Sequence, residues 1–177
     1  ICNDIDNNKI KCTYPFLICG VTAGRMFVNV KNKKCLLDIF ECDHTVDSLG
    51  FGITEITNKL KSQYVGLGKE IGKLRSDGIE VYDTIYDSKF CYLGDTFISV
   101  FDKNPDILKY KYIAIECTFI NDDEKEQAEK TKHIIWSSLE PYIIKNKDNN
   151  FILYHFSQRY KREEIDEFFK TKNLDNA

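Results

Sequence analysis

Asn150-Phe151-Ile152-Leu153-Tyr154-His155-Phe156-Ser157-Gln158-Arg159-Tyr160 is the stretch from which the fold is read. Five residues of strand character end at a histidine, so the imidazole leaves a β-strand at its C-terminal end, the edge of an α/β sheet where ligands bind. A helical pattern precedes it at Ile134 to Lys145, and an amphipathic one follows at Glu163 to Lys172. Further back, Tyr112 to Thr118 reads as a buried strand and Pro105 to Tyr110 as a helical turn. Strand and helix alternate through this half, which predicts a layered α/β fold.

The first half has a different texture. Short β-rich runs at Phe16 to Val21, Arg25 to Val30, Cys35 to Glu41 and Leu49 to Ile56 alternate with polar turns and predict a meandering sheet. A short basic helix is expected over Gly68 to Arg75, stopped by Asp77-Gly78. Strand character returns at Ile79 to Ile85 and at Phe90 to Leu93. Neither a repeat nor a proline-rich linker interrupts the 177 residues, so residues 1–177 are expected to form one domain.

Composition narrows the functions. With 42% hydrophobic residues the chain can bury an ordinary core, and no apolar run reaches membrane-span length, so no membrane partner is expected. The seven cysteines, Cys2, Cys12, Cys19, Cys35, Cys42, Cys91 and Cys117, are odd in number and lack Cys-x-x-Cys spacing. They read as buried thiols of a reducing compartment, cytoplasmic or nuclear, and the polar opening around Asp4 and Asp6 does not suggest secretion. A formal charge of −3 means that any nucleic-acid contact must be made by a local basic patch. Asn58-Lys59-Leu60-Lys61 with Lys69, Lys73 and Arg75 is such a patch, although Glu70 dilutes it and a solvated helix face is the plainer reading.

The three histidines, His44, His133 and His155, all lie at edges of expected elements, and Asp95 in Leu93-Gly94-Asp95-Thr96 again follows a strand. Taken singly each has an ordinary reading: a hydrogen-bonded surface imidazole, or a Gly-Asp turn. As an ordered set they are more specific. Asp43-His44-Thr45-Val46-Asp47-Ser48-Leu49-Gly50-Phe51, Gly94-Asp95-Thr96, Glu116-Cys117-Thr118-Phe119, His133 and the run from His155 to Tyr160 resemble ribonuclease Z of the metallo-β-lactamase superfamily, over about Phe16 to Arg162.

The resemblance implies an α/β fold of the metallo-β-lactamase αββα sandwich type, of which this chain would carry the C-terminal half. It implies two zinc ions, one bound by His44, one by His155, and both bridged by Asp95. His133 would protonate the leaving oxygen, and Glu116 would hold its imidazole in the right tautomer. The family's substrate is a tRNA precursor, so Lys59, Lys61, Lys73 and Arg75 are expected to bind it, within a short insertion over 57–78; a homodimer is a further partner expectation. Glu116-Cys117-Thr118 stands where the family has Glu-Ala-Thr or Glu-Ser-Thr, and Ile134-Ile135 replaces small polar residues after His133.

The family's His-x-His-x-Asp-His motif is not in this sequence. His44 with Asp95, and Asp95 with His155, give each metal two protein ligands, where catalytic zinc usually has at least three. Three functions follow as expectations: a metal-dependent endoribonuclease whose other ligands lie upstream, with the present chain inactive alone; another hydrolase of the same fold; or a non-catalytic relative that keeps the fold as an interaction module.

Overall fold

The computed structural model describes residues 20–172 and 174–177. Six strands form one sheet in sequence order: β1 (Gly24–Val30), β2 (Lys33–Glu41), β3 (Leu49–Leu60), β4 (Tyr82–Tyr92), β5 (Tyr112–Glu116) and β6 (Asn150–Tyr154). The first four are antiparallel neighbours, and β4, β5 and β6 run parallel. Among the described residues there are five α-helices: α1 (Glu70–Ser76), α2 (Val100–Lys103), α3 (Lys125–Thr131), α4 (Trp136–Lys145) and α5 (Arg162–Lys170).

The change from meander to alternating strand and helix occurs at β4, because a parallel neighbour cannot be reached by a tight turn and needs a crossover. The crossovers carry α2, and then α3 with α4. In α4 the buried residues are Trp136, Leu139 and Ile143, spaced three and four apart, which is one face of a helix. That face packs on the side of the sheet bearing Phe40, Cys91, Ile113 and Phe151, with Val100, Phe101, Ile107 and Tyr110 filling the same core. Trp136 meets Phe169 of α5 edge-on at 5.0 Å between centroids, so the last helix closes the layer.

One buried polar knot ties the meander to this core. Asp38 of β2 accepts hydrogen bonds from Arg25 Nε (2.5 Å), Tyr110 Oη (2.5 Å) and Lys109 Nζ (3.0 Å). Burial alone would raise its pKa; the bonds from Arg25, Tyr110 and Lys109 outweigh that and leave it below the usual carboxylate range. The close approach requires glycine opposite, since a Cβ on Gly52 would sit 2.3 Å from the Tyr110 ring.

The other side of the sheet is apolar and open. Register aligns Met26, Leu37, Ile53, Phe90 and Tyr112 across five strands, and Tyr92, Ala114 and Ile152 beside them. Met26, Phe90, Tyr92, Tyr112 and Ile152 are exposed there.

Several expected elements differ in extent. The runs expected over Ile79 to Ile85 and Phe90 to Leu93 merge into the single strand β4, which begins only at Tyr82 and ends at Tyr92, because the polar stretch between them stays paired: Thr54 and Ser88 hydroxyls meet at 3.0 Å beside a bulge at Ile53/Thr54. The region 57–78 is the end of an arm in which β3 beyond Glu55 pairs with β4 alone, followed by α1. The expected strand Phe16 to Val21 falls mainly outside the described residues, as do Cys2, Cys12 and Cys19. Cys35, Cys42, Cys91 and Cys117 are free and buried, as expected. Among the described residues no helix is long and apolar enough to cross a membrane.

Candidate metal and acid-base centre

β2 points the same way as the parallel trio β4, β5 and β6, because it is two antiparallel steps from β4. The C-terminal ends of all four therefore share one edge. His44 lies three residues past β2, Asp95 three past β4, Glu116 ends β5, and His155 directly follows β6. Loops that leave one edge are stitched together there: Asp43 N–H donates to Thr96 Oγ1 (3.0 Å), and Phe97 N–H to the Asp43 carbonyl (2.7 Å). Hydrogen bonding from Ser99, opposed by burial and helped by Lys103 and Lys132, keeps the Asp43 carboxyl below its ordinary pKa.

His133 reaches the edge from another direction. Helix α3 ends with Lys132 in the left-handed region (φ 59°), and the following N–H of His133 caps the Ala128 carbonyl at 3.1 Å. This turn aims the imidazole back at the sheet edge. Phe119 and Ile135 form a bridge beside it, so the two isoleucines after His133 serve packing: Ile134 and Ile135 are both buried.

Glu116 is the fixed point of the cluster. It is fully buried, and its two oxygens receive four donors: Thr96 N–H (2.8 Å) and His133 Nδ1 (2.7 Å) at Oε1, Thr118 hydroxyl (2.6 Å) and Ile134 N–H (3.1 Å) at Oε2. Two oxygens offer about four lone-pair sites, so none is left for a cation. Glu116 also fixes His133 with its proton on Nδ1 and Nε2 turned toward His44 Nε2, 3.5 Å away.

Asp95 and His155 are the accessible members, with side chains 39% and 43% exposed and Oδ2 to Nε2 at 3.7 Å. The rings of His133 and His155 stack at 5.3 Å. His155 has φ 63°. For a residue with a β-carbon this left-handed backbone costs roughly 1–2 kcal/mol, and such strain concentrates where a side chain must be aimed. Gly94, before Asp95, has no positive φ. Its smallness is needed for proximity instead, since a Cβ would meet Ser48 Oγ at 2.5 Å and the Leu49 carbonyl at 2.9 Å.

Donor atoms of His44, Asp95 and His133 lie within 4.8 Å of one another, and so do those of Glu116, His133 and His155. Imidazole and carboxylate donors suit a zinc-class divalent cation. With Glu116 saturated, the donors left in these groups are His44, Asp95, His155 and the Nε2 of His133, and in kind they fit. His44 needs one adjustment: Val46 N–H donates to its Nδ1 at 3.3 Å, so its proton sits on Nε2 and must be lost or moved before that nitrogen can ligate.

The chain is 33% identical over 168 residues to tRNase Z TRZ1 of Arabidopsis thaliana, an alignment covering 92% of this chain and 58% of that protein. It is 34% identical over 136 residues to tRNase Z TRZ2, chloroplastic, of the same plant, covering 72% and 37%. The chain is a relative of tRNase Z. It spans a little over half the length of the first of these relatives and a smaller part of the second. Among solved structures, human tRNase Z, short form, aligns over 76% of this chain and 40% of that one, at 17% identity and a TM-score of 0.44. No protein-family model matches the sequence.

In this tRNase Z relative His44, Asp95, Glu116, His133 and His155 come together at one edge. The four basic residues do not join them. Lys59 lies ten residues along β3 from Leu49, about 33 Å at ~3.3 Å per residue, and Arg75 of α1 lies at the same end of the arm, 5.9 Å from the ring of Tyr82, which pairs with Leu60. Thr96 and Thr118, both buried and bonded to Glu116, belong to the cluster without having been singled out by the sequence.

Proposed function

We propose that this chain carries the acid-base group and part of the metal site of a zinc-dependent endoribonuclease that trims the 3′ ends of tRNA precursors. The observation that supports this best is the Glu116–His133 pair, 2.7 Å apart, beside His44, Asp95 and His155, in a relative of tRNase Z. His44 and His155 would each hold one cation, with Asp95 between them. The remaining ligands would come from a part of the protein outside this sequence, since two ligands per ion fall short of the usual three. When bound, such a pair of cations makes water a competent nucleophile near neutral pH and neutralises charge at the attacked phosphorus.

The chain's own residues account for the other half of the reaction. A departing ribose oxygen needs a proton. His133 would act as the imidazolium: its Nδ1–H stays bonded to the Glu116 carboxylate while the second proton leaves from Nε2, the nitrogen facing the cavity, which returns the ring to the neutral Nδ1–H form. Glu116 cannot swing away, being held by three other donors. The arm bearing Lys59, Lys61, Lys73 and Arg75 would meet phosphates far from the cut bond, which suits a substrate as large as a tRNA. The open apolar sheet face belongs to the same reading: the remainder of the sandwich would cover it, and sedimentation of the intact protein would report whether a homodimer also forms.

The test is single-turnover cleavage of a 3′-extended tRNA precursor by the intact protein and by its His133→Ala variant. The rate should fall by about 10²–10⁴-fold, the usual worth of a general acid. Cleavage by the variant at the wild-type rate would remove the acid role, and a wild-type protein inert toward the precursor would remove the substrate.

A further inference from the structure

We propose that Thr118 is a positioning residue that sets the tautomer and aim of His155, so that Nε2 is presented to the metal; this rests on the reading of His155 as a ligand given above. Thr118 lies buried within 3.5 Å of three functional groups. Its Oγ1 is 2.6 Å from Glu116 Oε2, 3.0 Å from His155 Nδ1 and 3.4 Å from His133 Nδ1.

A hydroxyl has one hydrogen and two lone pairs. The carboxylate oxygen can only accept, so the hydrogen of Thr118 is committed to Glu116. Toward the imidazoles Oγ1 can therefore only accept. His133 has spent its Nδ1 proton on the nearer Glu116 Oε1 (2.7 Å), which leaves His155 as the donor. His155 must then carry its proton on Nδ1, and its Nε2 lone pair faces the cavity beside Asp95. The direction of every hydrogen bond follows from the one group that cannot donate.

The backbone of the same segment braces the same histidine. Cys117 N–H donates to the Tyr154 carbonyl (2.8 Å) and Ser157 N–H to the Thr118 carbonyl (3.0 Å), so bonds flank His155 on both sides while it holds its left-handed φ. Thr118 is 8% exposed, too buried to touch an RNA. One hydroxyl thus links the carboxylate that orients His133 to the histidine that would hold a metal.

The sharpest test needs neither metal nor RNA: long-range ¹H–¹⁵N spectra of the histidine rings in the metal-free intact protein at a pH where they are neutral. His155 should be the Nδ1–H tautomer in the wild type and in Thr118→Ser, and should shift toward Nε2–H in Thr118→Val, which keeps the shape and removes the hydroxyl. In the intact protein Thr118→Val should weaken zinc binding about 10–100-fold, as loss of an outer-shell partner typically does, and Thr118→Ser should restore it. An Nε2–H tautomer in the wild type, or a valine variant with unchanged tautomer and zinc affinity, overturns the proposal. Should serine fail as badly as valine, the role is packing and the proposal is again wrong. If the tautomer result holds but the intact protein does not cut tRNA precursors, the substrate reading fails and the positioning role stands.

Discussion

Replacing Glu116 by glutamine tests the centre more severely than removing any histidine. The amide keeps the shape but turns one acceptor oxygen into a donor. If the NH₂ takes the Oε2 position it opposes the Ile134 N–H and the Thr118 hydroxyl; at Oε1 it opposes the Thr96 N–H and His133 Nδ1. Thr118 can rotate and His133 can change tautomer, but a backbone N–H can do neither, so either orientation leaves at least one buried donor without a partner. That costs about 1–3 kcal/mol, and weakening the surviving bonds from charge-assisted to neutral adds about 1 kcal/mol. We expect a loss of about 2–4 kcal/mol in urea unfolding, or about 4–16 °C in Tm for a domain of this size. In the Oε1 orientation the amide NH₂ cannot accept from His133 Nδ1–H, so the doubly protonated ring that would act as the acid loses its partner, and cleavage by the intact protein should fall along with stability. A Glu116→Gln variant within about 0.5 kcal/mol of wild type would refute the claim that Glu116 is saturated by four donors.

Gly94→Ala places a methyl 2.5 Å from Ser48 Oγ and 2.9 Å from the Leu49 carbonyl; it should cost about 1–3 kcal/mol by overpacking and, by displacing Asp95, weaken zinc binding measured by chelator competition. Asp38 has its pKa depressed by Arg25, Tyr110 and Lys109 against the effect of burial, so its stabilisation is present above the unfolded carboxylate value of about 4 and is lost as pH falls through the lower folded value. Urea midpoints between pH 6 and pH 2 should therefore fall less steeply in Asp38→Asn than in wild type, from a lower starting stability. Changing Lys59, Lys61, Lys73 and Arg75 together to glutamine should weaken tRNA binding by the intact protein and flatten its salt dependence, with hydrolysis of a small phosphodiester unchanged because the arm is remote from the cluster.

The convergence of His44, Asp95, Glu116 and His155 on one edge was legible because each sits at a strand end that period and turn signals mark: His155 after five apolar-rich residues, Asp95 after a strand and a glycine, His44 after β2; His133, which comes in from the end of α3, carries no such signal. Thr118 and Thr96 were not, because what a hydroxyl does depends on which groups converge on it, and those partners lie 15 to 37 residues away for Thr118 and 20 and 53 for Thr96, apart from its own neighbours in each loop. The distance of Lys59 from the centre was also invisible, since a long strand carries sequence neighbours of the site far from it. Helices α2 and α3 escaped notice for simpler reasons. α2 is four residues long, barely one turn, and α3 buries only Ala128, so neither displays an apolar stripe. The glycine of Gly94-Asp95 was recognisable, but its reason was not: contact with Ser48 and Leu49, instead of a turn dihedral, demands it.

The decisive measurement is an anomalous-scattering map at the zinc edge from crystals of the intact protein. Peaks should lie about 2.0–2.2 Å from nitrogens of His44 and His155 and from the Asp95 carboxylate, with Glu116 bonded to His133 and not to metal. Zinc bound elsewhere, or coordinated by Glu116, would contradict the assignment of these side chains.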